Sequence, residues 1–188
     1  MKIYFIIYDG MTTLDFIGVY DSLTRLKTMG FLFDMEYTVC SIQPEITSYE
    51  GLMIKPNLVK NDFSGADYII IPGGHGIQNQ LQNNEFLDWI NSVPETCKIA
   101  TVCSGSFVPG VLGKLKDKKA TTHPALYEKL RPLIKELSED RMVDEGNIIT
   151  ARGVSSSIDL GLYLVEKIAG KEIREKIQTQ MDYLNYPL

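Results

Sequence analysis

The sequence predicts an α/β protein, with a mostly parallel central sheet and helices on both faces. Three observations predict it. Short β-branched and aromatic runs recur along the chain, too uniformly apolar for strands with one wet face. Stretches with helical apolar spacing lie between them. Glycine- and proline-rich turns separate the two kinds.

Lys2–Tyr8 (KIYFIIY) is a continuous apolar run, predicted as a strand buried on both faces. Leu14, Ile17, Leu23 and Leu26 roughly keep helical spacing, and Gly30 supplies a stop. Met35–Ile42 reads as a second strand, followed by a short extended piece near Leu52–Lys55. Tyr68–Ile71 (YIII) is another buried strand, closed by Pro72-Gly73-Gly74. Phe86–Ile90 lies in a helix, and Lys98–Val102 is the strand that ends at Cys103. Pro124–Leu137 is predicted helical. Arg141–Thr150 carries a Glu145-Gly146-Asn147 turn between two extended pieces, a hairpin signal. Ser155–Ile168 is an amphipathic helix with a serine-rich start and Gly170 at its end, and Glu172–Tyr183 is the last helix. No repeat, low-complexity segment or long linker interrupts the series, so residues 1–188 are expected to form one domain.

Composition narrows the class. A chain of 188 residues, 44% hydrophobic and 23% charged, can bury a full core. The net charge is −5, and no basic cluster exceeds the short Lys114–Lys119 stretch, so nucleic acid is not an expected partner. Met1–Tyr8 is too short for a secretory signal and no small-residue cleavage site follows it. No apolar run approaches a membrane span. Cys40, Cys97 and Cys103 are odd in number and lack metal-type spacing, which suits a reduced cytoplasmic setting. With His75 and His123 the only histidines, no metal site is expected, and no motif calls for an organic cofactor.

In such folds the ligand crevice lies beyond the carboxyl ends of the strands. Asp9–Asp15, Pro72–Gly76 and Cys103–Ser106 are expected to converge there. Cys103 follows an apolar strand and precedes Ser104-Gly105, the pattern of a nucleophile elbow without the usual glycine two residues earlier. The positive end of a following helix would favour its thiolate. The same residue also reads as a small buried side chain closing a strand. Cys40 and Cys97 have no such turn and are assigned to the core. Gly73 and Gly74 are candidate oxyanion donors, or an ordinary tight turn. No Gly-Lys-Ser/Thr follows, so this is not a phosphate loop. His75 reads as a loop residue before a base. Thr12-x-x-Asp15 is either a helix cap or the carriage of a carboxylate beside Cys103, its pKa raised by burial. His123, just before Pro124, is either the partner in a Cys–His pair or a strand-to-helix junction.

At these residues the chain resembles the ThiJ/PfpI superfamily. The likeness is carried by TTLDFIGVYDSL (12–23), IIIPGGHG (69–76), ATVCSGSFVPGVLGKL (100–115) with ATTHP (120–124), and GNIITARGVSSSIDLGLYLVEKIAG (146–170). It implies a flavodoxin-like three-layer sandwich, commonly dimeric, with its cysteine on a strained elbow. The Leu14-Asp15-Phe16-x-Gly18 and Val102-Cys103-Ser104-Gly105 blocks look like the isonitrile hydratase branch. The resemblance implies Cys103 as nucleophile, Asp15 as proton shuttle, Ser104 beside them, a small-molecule substrate and no cofactor. That branch commonly has threonine after the cysteine; Ser104 keeps the hydroxyl. Protease and many deglycase-like members put histidine there, so Ser104 weakens the protease reading. Thr-Thr-His-Pro and Thr-x-Arg-Gly also look like the parkinsonism-associated deglycase branch, which uses a glutamate where Asp15 stands. The alternatives to a hydratase are therefore a glyoxalase or deglycase acting on dicarbonyls, and a non-enzymatic redox sensor or binding module. AraC-type regulators share some blocks, but no helix-turn-helix module is expected within the 188 residues.

Overall fold

A computed structural model describes residues 1–183. In chain order its first elements are β1 (Lys2–Ile6), α1 (Thr13–Thr28), β2 (Glu36–Ser41), β3 (Ile46–Thr47), β4 (Met53–Ile54), β5 (Leu58–Val59) and β6 (Tyr68–Ile71). Then come α2 (Ile77–Gln80), α3 (Asn84–Asn91), β7 (Lys98–Val102), α4 (Phe107–Val111) and β8 (Lys119–Ala120). The last are α5 (Tyr127–Leu130), β9 (Glu136–Leu137), β10 (Met142–Asp144), β11 (Ile148–Ala151), α6 (Ser156–Ala169) and α7 (Lys171–Gln180).

The main sheet runs β10-β11-β7-β6-β1-β2-β5. Every pairing is parallel except the β10–β11 hairpin. Its central strands β2-β1-β6-β7-β11 have the 2-1-3-4-5 order of flavodoxin-like folds, as expected. The order reverses between β1 and β6, so a crevice opens past their carboxyl ends. Adjacent residues of β1 point to opposite faces. Phe5 meets Phe16 and Tyr20 of α1. Tyr4 meets Phe63, which packs on Trp89 of α3. Helices thus cover both faces, and β6 is buried along its whole length. On the α1 side the helices approach closely: a Cβ on Gly18 would lie 2.0 Å from Ser157 Oγ, and one on Gly161 2.6 Å from Ser22 Cβ.

One expectation is corrected, and of the two readings of Thr12 the helix cap is not met. Pro124–Leu137 is not one helix: it breaks into 3₁₀ turns at Pro124–Leu126 and Arg131–Leu133 around the four-residue α5. Pro132 removes an amide donor there and crowds the preceding turn, and Glu136–Leu137 instead pairs with β8. Thr12 occupies the N-cap of α1 but its side chain caps nothing; Glu50 accepts from Thr13 N–H at 3.0 Å instead. The serines opening α6 do not cap it either; Ser157 is buried against α1. Among the described residues no helix is long and apolar enough to cross a membrane.

Candidate active site

Cys103 stands where β7 ends and a 3₁₀ turn, Cys103–Ser106, begins. Its φ is +54°, left-handed for a residue with a Cβ. That conformation costs on the order of 1–2 kcal/mol and must be held from outside. Thr122 Oγ1 donates to the Cys103 carbonyl at 2.8 Å, and Ser106 Oγ donates to it at 3.1 Å. Gly105 lets the turn close, since a Cβ there would lie 2.4 Å from the Ile71 carbonyl oxygen. The strained elbow predicted from sequence is present, and Thr122 and Ser106 are holders that local motif reading missed.

The three loops do converge. Met11 and Gly74 form an isolated antiparallel bridge between the first two. Asp15, fully buried in the first turn of α1, accepts from Gly73 N–H at 3.0 Å through Oδ2. Its Oδ1 is buried with no hydrogen-bond partner in the protein. Ser104 Oγ accepts from Gly74 N–H at 2.9 Å and lies 3.2 Å from the Gly74 carbonyl, to which it can donate. A Cβ on Gly73 would sit 2.6 Å from Ser104 N and 2.9 Å from Asp15 Oδ2, so only glycine fits between them. The amides of Gly73 and Gly74, expected to face an oxyanion, are thus engaged in placing Asp15 and Ser104. The 3₁₀ turn after Cys103 also offers little of the helix dipole that was expected to lower its pKa, because the α-helix beyond has only five residues.

Burial pushes the Asp15 carboxyl up to about 7, against the pull of the Gly73 amide and the Cys103 thiol. Burial, then the Asp15 charge, pushes the Cys103 thiol up to about 12, against hydrogen bonds from the Ser104 amide and hydroxyl. Thiol and carboxyl therefore form one coupled pair that retains a proton at neutral pH. Proton transfer within it yields a thiolate and a carboxylic acid together. Tyr8 closes the site from below, fully buried, its hydroxyl donating to the Pro72 carbonyl at 2.8 Å.

Above Cys103 opens a cavity of about 390 Å³, lined by Cys103, Ser104 and Gly74, by apolar side chains such as Ile77, Leu126 and Val154, and by the polar Thr12, Gln78 and Lys129. His75 and His123 reach its wall. His75 is exposed and stacks on Tyr49 at 3.9 Å between ring centres. His123 Nδ1 accepts from Ala125 N–H at 3.2 Å. That bond places the proton of the neutral ring on Nε2 and leaves Nδ1 unavailable as a base. Among the described residues no cluster of three His, Cys, Asp or Glu side chains forms a metal site.

The fold and the site define a flavodoxin-like α/β protein whose cysteine sits on a strand-to-helix elbow beside a buried carboxyl. The chain belongs to the DJ-1/PfpI family, whose model matches residues 1–167. It is 32% identical over 188 residues to an isonitrile hydratase from Pseudomonas putida, covering 100% of this chain and 80% of that protein. It is 26% identical over 181 residues to protein DJ-1alpha of Drosophila melanogaster, covering 94% of this chain and 81% of that one. Among solved structures, a ThiJ/PfpI family protein from Pseudomonas syringae superposes with a TM-score of 0.88 at 27% identity, over 100% of this chain and 77% of that one.

Proposed function

We propose that the protein is a cysteine-dependent hydratase that adds water to a small electrophilic carbon, converting an isonitrile to an N-substituted formamide. One arrangement carries the reading: the elbow thiol of Cys103 opens on a cavity with a largely apolar surface, and the fully buried carboxyl of Asp15, raised to about 7, lies behind it. The 32% identity to an isonitrile hydratase supports the substrate class.

In this mechanism Cys103 gives its proton to Asp15 as Sγ attacks the terminal carbon of the isonitrile. Charge on sulfur is met by the Ser104 amide. Asp15 then delivers the proton to that carbon, leaving a thioimidate. Water attacks the thioimidate carbon while Asp15 takes one water proton. The nitrogen is protonated as the C–S bond breaks, and the sulfur leaves with its electron pair and regains its proton. One isonitrile and one water give one formamide, and the enzyme is restored. No cofactor takes part. The homodimer and the cytoplasmic setting implied by the family likeness and the three free cysteines complete the proposal.

The test is formamide production from a simple aryl isonitrile, comparing the parent protein with Cys103→Ala. Saturable turnover that vanishes in a folded variant is expected. Persistent turnover in that variant, or none in the parent with either a neutral or a carboxylate-bearing isonitrile, removes the mechanism.

A further inference from the structure

The cavity over Cys103 is lopsided in charge. Its lining includes Lys129, the two imidazoles of His75 and His123, and the amide of Gln78, and not one carboxylate. Asp15 lies behind the wall, fully buried and bonded to Gly73. Two carboxylates adjoining lining residues in sequence or by hydrogen bond are occupied: Glu50 accepts from Thr13, which follows Thr12, and Glu128, next to Lys129, pairs with Arg131 at 2.9 Å. Among the described residues Lys129 makes no ion pair and no side-chain hydrogen bond. The His123 ring is oriented by Ala125 so that its Nε2 is the donor. The rest of the lining is Thr12, the Cys103–Ser104 elbow and apolar residues such as Ile77, Leu126 and Val154.

From this arrangement we infer that the substrate taken at Cys103 carries an anionic group, a carboxylate on a small apolar body, which Lys129 recognises at the cavity rim. Lys129 is then a specificity-determining residue. It sits on α5, outside the elbow and away from the Asp15–Cys103 pair, so it selects the substrate without touching the reacting carbon. The inference rests on the proposed function for the reacting group, an isonitrile, but the anionic half is independent of it.

The experiment separates the two. Cys103 is alkylated with iodoacetate and, separately, with iodoacetamide, and its modification is followed by peptide mass. The two reagents differ in charge and little in size, and the reaction needs only the thiol. The ratio of the two rates is compared between the parent, Lys129→Gln and Lys129→Arg. Lys129→Gln is expected to lower the iodoacetate-to-iodoacetamide ratio about threefold, the scale of an exposed charge pair. Lys129→Arg should keep the ratio, and high salt should erode it in the parent. An unchanged ratio in Lys129→Gln overturns the inference. Turnover is then compared for isocyanoacetate and its ethyl ester. Hydration of both with no advantage for the carboxylate overturns the inference and leaves the hydratase reading standing. Hydration of neither, with the alkylation ratio lowered in Lys129→Gln, removes the hydratase reading and upholds the anion preference.

Discussion

At the scale of the residue, Asp15 links stability to chemistry. Its carboxyl is held at about 7 in the folded state by burial, against 3.8 ordinarily. The sign follows from proton counting. Between those two values the folded protein binds the proton and the unfolded chain does not, so stability falls as pH rises from about 4 to about 7. Above 7 the full penalty is present, with a ceiling of about 4 kcal/mol at 1.36 kcal/mol per pH unit. The Cys103 thiol stays protonated in both states across this window and adds nothing. Asp15→Asn keeps an oxygen for the Gly73 amide and removes the charge. It should therefore raise stability at pH 8 by roughly 1–3 kcal/mol and change it little at pH 4, read by denaturant unfolding at both pH values. The same variant should lose hydratase turnover at least about a hundredfold, because the pair loses its proton acceptor. In the parent, kcat/KM should rise with pH to a plateau above about 7, as Asp15 ionises. A flat profile between pH 5 and 8 would contradict the assigned role.

Between elements, the position of Asp15 depends on how α1 seats against α6. Gly18 lies one turn after Asp15, and its missing side chain is what lets Ser157 in. Gly18→Ala places a methyl 2.0 Å from Ser157 Oγ, so the helices must separate. The expected cost is about 1–3 kcal/mol, partly offset by alanine's better helix propensity. Adding Ser157→Ala removes the nearest atom and should recover part of the loss, a coupling visible in a double-mutant cycle of unfolding free energies. Turnover should fall in the single variant beyond what unfolding explains. This contact shows where sequence legibility ends. The strands KIYFIIY and YIII, the β10–β11 hairpin and the Cys103 elbow were legible because local composition and turn residues dictate them. The packing role of Ser157 was not legible, since its partner, Gly18, lies in a helix more than a hundred residues away. Pro124–Leu137 was misread because β9 exists only through pairing with β8. The cavity wall suffered in turn: Lys129 and Leu126 come from this broken segment, and no local pattern marks them as lining a site.

For the whole molecule, apolar residues that the core leaves unused carry the remaining prediction. Leu14 and Ile17 fit the helical spacing of α1, yet they are 42% and 39% exposed. Tyr49, Leu52 and Met53, on and around the β3–β4 hairpin, are also exposed, Met53 at 70%. Thr13 ties the two groups together through Glu50 and Ser48. Exposed apolar side chains gathered in this way are costly in water, and a two-fold axis would cover them with the same patch of a second copy. The chain should therefore sediment as a dimer at micromolar concentration. Each copy carries a net charge of −5, so added salt should tighten the association by screening their repulsion. Met53→Glu places a new charge in the patch, far out on a strand end, and should shift the protein to monomer without unfolding it. The patch adjoins the start of α1, where Glu50 and Thr13 fix the turn that carries Asp15. Loss of the dimer should thus lower turnover as well, while Lys129→Gln, on the other wall of the cavity, should leave sedimentation unchanged. A chain that sediments as a monomer with full turnover would mean that Leu14, Ile17 and the hairpin are exposed for another reason, and that Asp15 is held by its own chain alone.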